Sequence, residues 1–197
     1  MTFNDRTTPL SLLSTRRSGK PRNLAEPGPD DAELAQMIAI AARTPDHGKL
    51  SPWRFVIVPA EARDALADAL VAALKADRPD ASDRDAEEAR AFAHYAPALV
   101  VVLSVVEDTA RIPAWEQELS AGAVCMNLLH AAHAMGYHAG WLTSWAAFSD
   151  RVRDLFAPAP ARIAGFMFVG TSAHALEERP RMDPAALTTR WNPKGGL

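Results

Sequence analysis

The stretch Trp115–Thr143, WEQELSAGAVCMNLLHAAHAMGYHAGWLT, decides how the rest of the chain is read. Between Ser120 and Met135 it holds no Asp, Glu, Lys or Arg. Leu119, Val124, Met126, Leu128, Leu129 and Met135 put apolar surface on every helical face. A helix that is apolar all round is expected to be buried. Gly136 ends it, because glycine accepts the left-handed conformation of a helix terminus. Gly140-Trp141-Leu142-Thr143 then reads as a short extended segment that sets a large aromatic beside backbone open to close approach. Such an axis and turn can wall a flat ligand, and the same pattern is also that of an ordinary core helix.

Working outward, apolar runs without helical caps flank this axis. Ala98–Val106, ALVVVLSVV, and Ile163–Gly170, IAGFMFVG, read as buried strands, and Trp53–Val58, WRFVIV, as a third. Helices fill the intervals. Asp30 or Asp31 caps one that carries Leu34, Met37, Ile38 and Ala41 at amphipathic spacing. Ala60–Lys75 is an alanine-rich second. The charged stretch 77–90 reads as a solvated excursion returning into a helix near Ala86–Tyr95. Ser149–Leu155 forms a short capped helix. Residues 1–9 read as flexible, and 171–197 as an extended tail without a core of its own. Neither a repeat nor a dividing linker interrupts residues 1–197, so one α+β domain is expected, and a tail of this length needs a surface such as a second subunit.

Composition narrows the function. A chain of 197 residues buries a substantial core. The formal charge of −3 gives no electrostatic case for nucleic acid or an anionic membrane. One cysteine, Cys125, leaves no internal disulfide or metal cluster, and inside the apolar helix it reads as an inert thiol. The start MTFNDRTTPL lacks a signal-peptide pattern, and the uncharged helix contains Asn127, His130 and His133, which makes a poor membrane span. A cytoplasmic protein is expected.

No GxGxxG follows a strand, and neither GxxxxGK[ST] nor GxSxG occurs. His130 and His133 share a helix face but have no carboxylate partner at helical spacing, so no metal is assigned. Distributed anion-binding features remain. Arg16, Arg17 and Ser18 offer two guanidinium forks and a hydroxyl that suit a phosphate. Arg43 ends a helix beside the Pro45–His47 loop, and Arg181 joins Arg179 in a basic pair of the tail. With Trp141 and its turn, these suggest a planar, phosphorylated ligand.

These residues resemble the FMN-dependent nitroreductases, most closely the short bacterial NAD(P)H members, from about Leu12 to Arg190. Arg16-Arg17-Ser18 is similar to the family's N-terminal RRS, which holds the flavin phosphate and ribityl chain. Ala42–His47 with Ser51-Pro52-Trp53-Arg54-Phe55 is similar to R-x-P-D-H…P-W-R-F of the short subgroup. The resemblance implies that Arg43 and His47 reach FMN, the histidine from the partner subunit. Trp115–Gly122 matches the entry of the central helix. Ala131, Ala132, His133, Ala134, Met135 and Gly136 match its exit, where the nicotinamide approaches. Trp141, Leu142 and Thr143 fall on the flavin-contacting tripeptide, and Gly170-Thr171 on the last strand's G-T. The chain departs in lacking the asparagine of Ser-x-x-Asn-x-Gln-Pro-Trp, and in carrying Leu142 where short relatives have arginine. Both departures bear on substrate preference and redox potential more than on FMN binding.

The resemblance implies an α+β, nitroreductase-like fold: a central mixed or antiparallel β-sheet flanked by helices, a long buried central helix, and an intertwined homodimer with FMN at the interface. It implies hydride passing from NADH or NADPH through FMN to nitroaromatics, quinones or similar electron-poor acceptors in a ping-pong cycle, with no catalytic side chain. The alternatives are a flavin-binding sensor or carrier, dehalogenation or flavin fragmentation on the same fold, and a scaffold without cofactor.

Overall fold

The computed structural model describes residues 2–108 and 111–192. Of the segments expected to lack structure, residue 1 and residues 193–197 lie outside the described residues. Helices are α1 (Pro9–Thr15), α2 (Asp31–Ala41), α3 (Arg63–Asp77), α4 (Asp83–Phe92), α5 (Ala114–Ala134) and α6 (Asp150–Arg153). Strands are β1 (Leu24–Ala25), β2 (Trp53–Val58), β3 (Ala98–Ser104), β4 (His138–Leu142) and β5 (Arg162–Ser172).

Every strand pairing is antiparallel, which resolves the expected mixed or antiparallel sheet. β5 runs through the middle, with β3 and then β2 on one side. Its other edge pairs β4 along Phe166–Gly170 and then β1 at Thr171 and Ser172. The continuous apolar character of β3 has a direct cause, since both faces of the sheet are covered. Leu99, Val101 and Leu103 pack with Leu66, Leu70, Phe92, Phe166 and Phe168 beneath α3 and α4. Val100 and Val102 pack with Met37, Val124, Leu128 and Met167 beneath α2 and α5. Strand alternation thus feeds two cores from one run of sequence.

Three local devices fix the elements around the site. Asp30 and Glu33 form a reciprocal capping box that starts α2, and Ser82 and Asp85 do the same for α4. The helix of the 77–90 stretch therefore begins at Asp83, earlier than the alanine-rich part of the sequence suggests. Arg63 is buried without a carboxylate, and its guanidinium donates to the carbonyls of Val58 (2.9 Å), Ala93 (2.7 Å) and Pro97 (3.3 Å). Burial lowers its pKa to about 10. This cation ties the end of β2 to the end of α4 and the start of β3.

The structure corrects one expectation about the central helix. Helix α5 is not covered on every face: Ala121, Val124, Cys125 and Leu128 are buried, but Trp115 is 67% and Leu119 55% exposed. The uncharged sequence therefore supplies one face for the core and a second apolar face that a single chain leaves open. The N-terminal segment also contacts the basic loop. The Asn4 side chain donates to the Arg17 carbonyl (3.1 Å) and accepts from the Arg17 N–H (2.8 Å), fixing the backbone of the basic loop. Helix α5 ends as expected, with Gly136 at φ +99°.

Candidate functional site

Helix α1, capped by Thr8, ends at Arg16 and delivers the basic loop to the sheet edge. The Gly19 N–H donates to the Ala139 carbonyl (3.1 Å), so the loop runs along β4. Arg16 donates to the Ser18 hydroxyl (3.1 Å), and Arg17 Nε to the Glu177 carbonyl in the tail (2.7 Å). The pKa of Arg16 is lowered by burial, then by Arg181 and Arg17. Three predicted cations thus converge from segments some 160 residues apart. Arg181 has one weak acidic partner, Glu178 at 3.8 Å. Arg17, Ser18, Lys20, Ser172 and His174 border a cleft of about 290 Å³ beside this cluster.

Histidines back the cluster without adding charge. His133 is fully buried, and its pKa is pushed down to about 3 by burial, then by Arg16, His138 and His130. Its Nε2 accepts the Ala139 N–H (3.3 Å), which places the ring proton on Nδ1, and Nδ1 has no partner among the described residues. Burial and then Arg16 lower His130, and burial lowers His138. The positive charge at the cleft is therefore that of the arginines and of Lys20.

Two residues upstream of Thr143, the Trp141 indole lies across Gly165 of β5 and donates Nε1–H to the Ala164 carbonyl (3.0 Å). A Cβ at Gly165 would overlap the ring. The ring's far edge lies toward Gly122 of α5, 4.0 Å from where a Cβ would sit. Trp141 thus forms a flat wall on the edge that carries the basic loop. Leu142 and Thr143 follow at the end of β4.

The other candidates lie elsewhere in the chain. The loop after α2 is fastened along α5 from Glu116 to Asn127. Asn127 donates to the Thr44 hydroxyl (2.6 Å), Ser120 to the Pro45 carbonyl (2.8 Å), and His47 Nδ1 lies 2.7 Å from Glu116 Oε2. Arg43 enters this loop. His130, beside Arg16, and Glu116, beside His47, are separated by 14 residues of α5, roughly 21 Å along the axis at the usual rise. One chain therefore does not bring His47 to the Arg16 cluster, whereas Arg43, next to the Thr44 that Asn127 holds, lies about one turn of α5 from His130. Of the segment at the exit of α5, Ala131, Ala132 and His133 face the core, and Ala134, Met135 and Gly136 reach the surface or its margin.

Sequence reasoning missed the partners that hold these residues. Asn4 fixes Arg17, and Glu116 pairs with His47 across 69 positions. Buried Gln117 clamps the loop before α5 through the Glu107 N–H and carbonyl (both 2.9 Å) and the Ile112 carbonyl (3.1 Å). None of these pairs has a local spacing that announces it.

A five-stranded antiparallel sheet between helical layers, one long axial helix and an arginine loop at the sheet edge define an α+β protein of nitroreductase-like fold. The Nitroreductase family model matches residues 13–171. The chain belongs to the nitroreductase family, a family of oxidoreductases. It is 33% identical over 163 residues to the Escherichia coli (strain K12) protein named "Putative NAD(P)H nitroreductase YdjA", covering 82% of this chain and 87% of that one. Its fold is similar to that of a nitroreductase-like protein from Bacillus cereus (TM-score 0.80, 20% identity, 97% and 98% of the two chains). It is also similar to that of an Exiguobacterium sibiricum protein crystallised in complex with FMN (TM-score 0.70, 16% identity, 97% and 100%).

Proposed function

We propose that the protein is a homodimeric, FMN-dependent NAD(P)H oxidoreductase that reduces nitroaromatics, quinones or similar electron-poor acceptors. The observation that carries this reading is the convergence of Arg16, Arg17, Arg181 and Ser18 on the edge that bears Trp141. Crowded guanidiniums suit a phosphate dianion, because an anion relieves their mutual repulsion and accepts several charge-assisted hydrogen bonds. Arg16, Arg17, Arg181 and Ser18 would hold the phosphate of FMN, and Trp141, Leu142 and Thr143 would flank its ring. When bound, FMN supplies the relay by which a hydride from NADH or NADPH reaches the acceptor in a ping-pong cycle. For a nitro group the balance is NADPH, a proton and ArNO2 giving NADP+, water and ArNO.

The chain's own contribution is binding, orientation and charge. The buried, neutral His133 and the Asn4 clamp hold the arginine loop in place. The open apolar face of α5 and the exposed tail residues Met182, Leu187 and Trp191 support a second copy as the missing surface. A partner would also bring its own His47 to a flavin that one chain's His47 does not reach. Dependence on NAD(P)H fits a cytoplasmic protein, and Ala134, Met135 and Gly136 are the places where the nicotinamide could approach the end of α5.

The test is the absorbance spectrum of the purified protein, taken with and without added FMN and then with NADPH or NADH under nitrogen. The reading expects a flavin spectrum that bleaches on reduction and recovers with a nitroaromatic or quinone. A flavin spectrum that does not bleach would instead support a binding module, and failure to take up FMN would overturn the cofactor assignment.

A further inference from the structure

Reduction of a quinone consumes a proton as well as a hydride: NADPH, H+ and quinone give NADP+ and hydroquinone. The side chains around the arginine loop are poor sources of that proton. A guanidinium does not release one at neutral pH. His133 is buried and neutral, and burial also holds His130 and His138 toward the neutral form. Burial pushes the Cys125 thiol up to about 12. Another histidine–carboxylate pair, His94 with Asp64 at 3.4 Å, joins the end of α4 to α3, across the sheet from α5.

His47 is placed differently. Its loop is fastened at consecutive residues, Thr44 by Asn127 and Pro45 by Ser120, while the Asp46 carboxylate accepts from the Leu50 (3.2 Å) and Ser51 (2.8 Å) N–H groups. The ring is then held by Glu116 in the first turn of α5, with Nδ1 2.7 Å from Oε2. A carboxylate only accepts, so Nδ1 keeps its hydrogen and Nε2 is the atom left to gain or lose a proton. Nε2 has no hydrogen-bond partner among the described residues. The ring walls two clefts, one of about 520 Å³ against Leu50 and Ile112 and one of about 550 Å³ against Leu119 and Ala123. The second is bounded by the open apolar face of α5, so a second copy docked there would close it and keep bulk water from Nε2. The charged groups around the ring are Glu116 on α5, Asp46 and Lys49 on its own loop, and Arg111 before α5. Glu116 alone of these pairs with it among the described residues.

We propose that His47 donates the proton in acceptor reduction and that Glu116 is its positioning residue. The proposal rests on the reading of a flavin-bearing dimer, in which His47 of the partner subunit stands beside the flavin. The Nε2–H bond breaks and its proton forms one O–H of the hydroquinone. The hydride that NADPH supplies through FMN, with its electron pair, forms the other, and water returns a proton to Nε2. Loss from Nε2 leaves the ring protonated on Nδ1, the form that Glu116 holds.

The experiment reduces the flavin-loaded protein with NADPH and follows its reoxidation by benzoquinone and by ferricyanide in stopped flow. Ferricyanide takes electrons one at a time and no proton, so the ratio of the two rates isolates the proton and cancels any loss of bound flavin. In His47→Ala the quinone-to-ferricyanide ratio is expected to fall roughly a hundredfold, the scale of general acid catalysis, and added imidazole restores part of it. Glu116→Ala lowers the ratio less. A second readout needs no turnover: nitrogen NMR of the neutral histidine rings shows His47 protonated on Nδ1, a preference lost in Glu116→Ala. The side chains of His47 and Glu116 are 62% and 36% exposed, so neither substitution opens the core. An unchanged ratio in His47→Ala would overturn the donor role and leave the flavin reading intact, with solvent as the proton source. A neutral His47 protonated on Nε2 in the unsubstituted protein would overturn the role of Glu116. A protein that stays colourless with added FMN overturns the flavin reading and this proposal together, and its spectrum tells that outcome from the others.

Discussion

Arg16 is crowded by burial and by two other guanidiniums, and that crowding can be measured. Replacing it with glutamine removes a partly buried like charge and also a proposed phosphate donor. The expected result is FMN affinity weaker by roughly ten- to a hundredfold with an unchanged or higher melting temperature of the flavin-free protein, read by flavin-fluorescence titration and thermal unfolding. His133 gives a second prediction at this scale. Its pKa in the folded chain, about 3, lies below the 6.5 of an unstrained histidine. Between those values the unfolded chain binds the extra proton and the folded chain does not. The stability is thus fully present above pH 6.5 and is lost as the pH falls toward 3, a difference of roughly 5 kcal/mol in all. Urea midpoints at pH 7 and pH 4.5 test this against His133→Gln, which keeps an acceptor for the Ala139 N–H but does not titrate. The variant is expected to start less stable and to lose less on acidification. Parallel losses would show that other groups govern the acid response.

At the scale of elements, what could be read from the sequence follows from how local the causes are. Strand β2 was legible end to end, because WRFVIV is bounded by proline on both sides. Strand β3 and helix α5 were legible because an unbroken apolar run of either period has to be covered. The two-residue β1 was not, since it exists only through its pairing with the end of β5. The start of α4 was legible in principle, because Ser82 and Asp85 stand three apart before a helix, but the surrounding charges read more readily as solvated chain. The open face of α5 was hidden for a different reason. An uncharged helix looks the same in sequence whether its second face meets its own chain or another. The site was half legible in the same sense. Arg16-Arg17-Ser18 is one contiguous signal, whereas the proximity of Arg181, the Asn4 clamp and the His47–Glu116 pair are products of the fold.

At the scale of the whole molecule, the three layers leave two kinds of surface uncovered: the Trp115–Leu119 face of α5, and a tail in which Trp191 is 83% exposed. Apolar surface of this kind marks a contact. The Arg16 and His47 ends of α5 lie roughly 21 Å apart, so a dimer would also be the unit that completes the cofactor site. Assembly and flavin retention should therefore fail together. Leu119→Glu puts a charge on the open face without touching either core. It is expected to shift light-scattering mass toward the single chain and to release FMN on gel filtration. A monomer that keeps its flavin would refute the coupling.

The seating of Trp141 on Gly165 also has a consequence for how this chain can change over generations. An added methyl group at position 165 displaces the indole, while a smaller side chain at position 141 leaves room above the glycine. The two positions can thus drift only in one order. Any descendant with a larger residue in the middle of β5 must first have given up its tryptophan, and with it the flat wall at the end of β4.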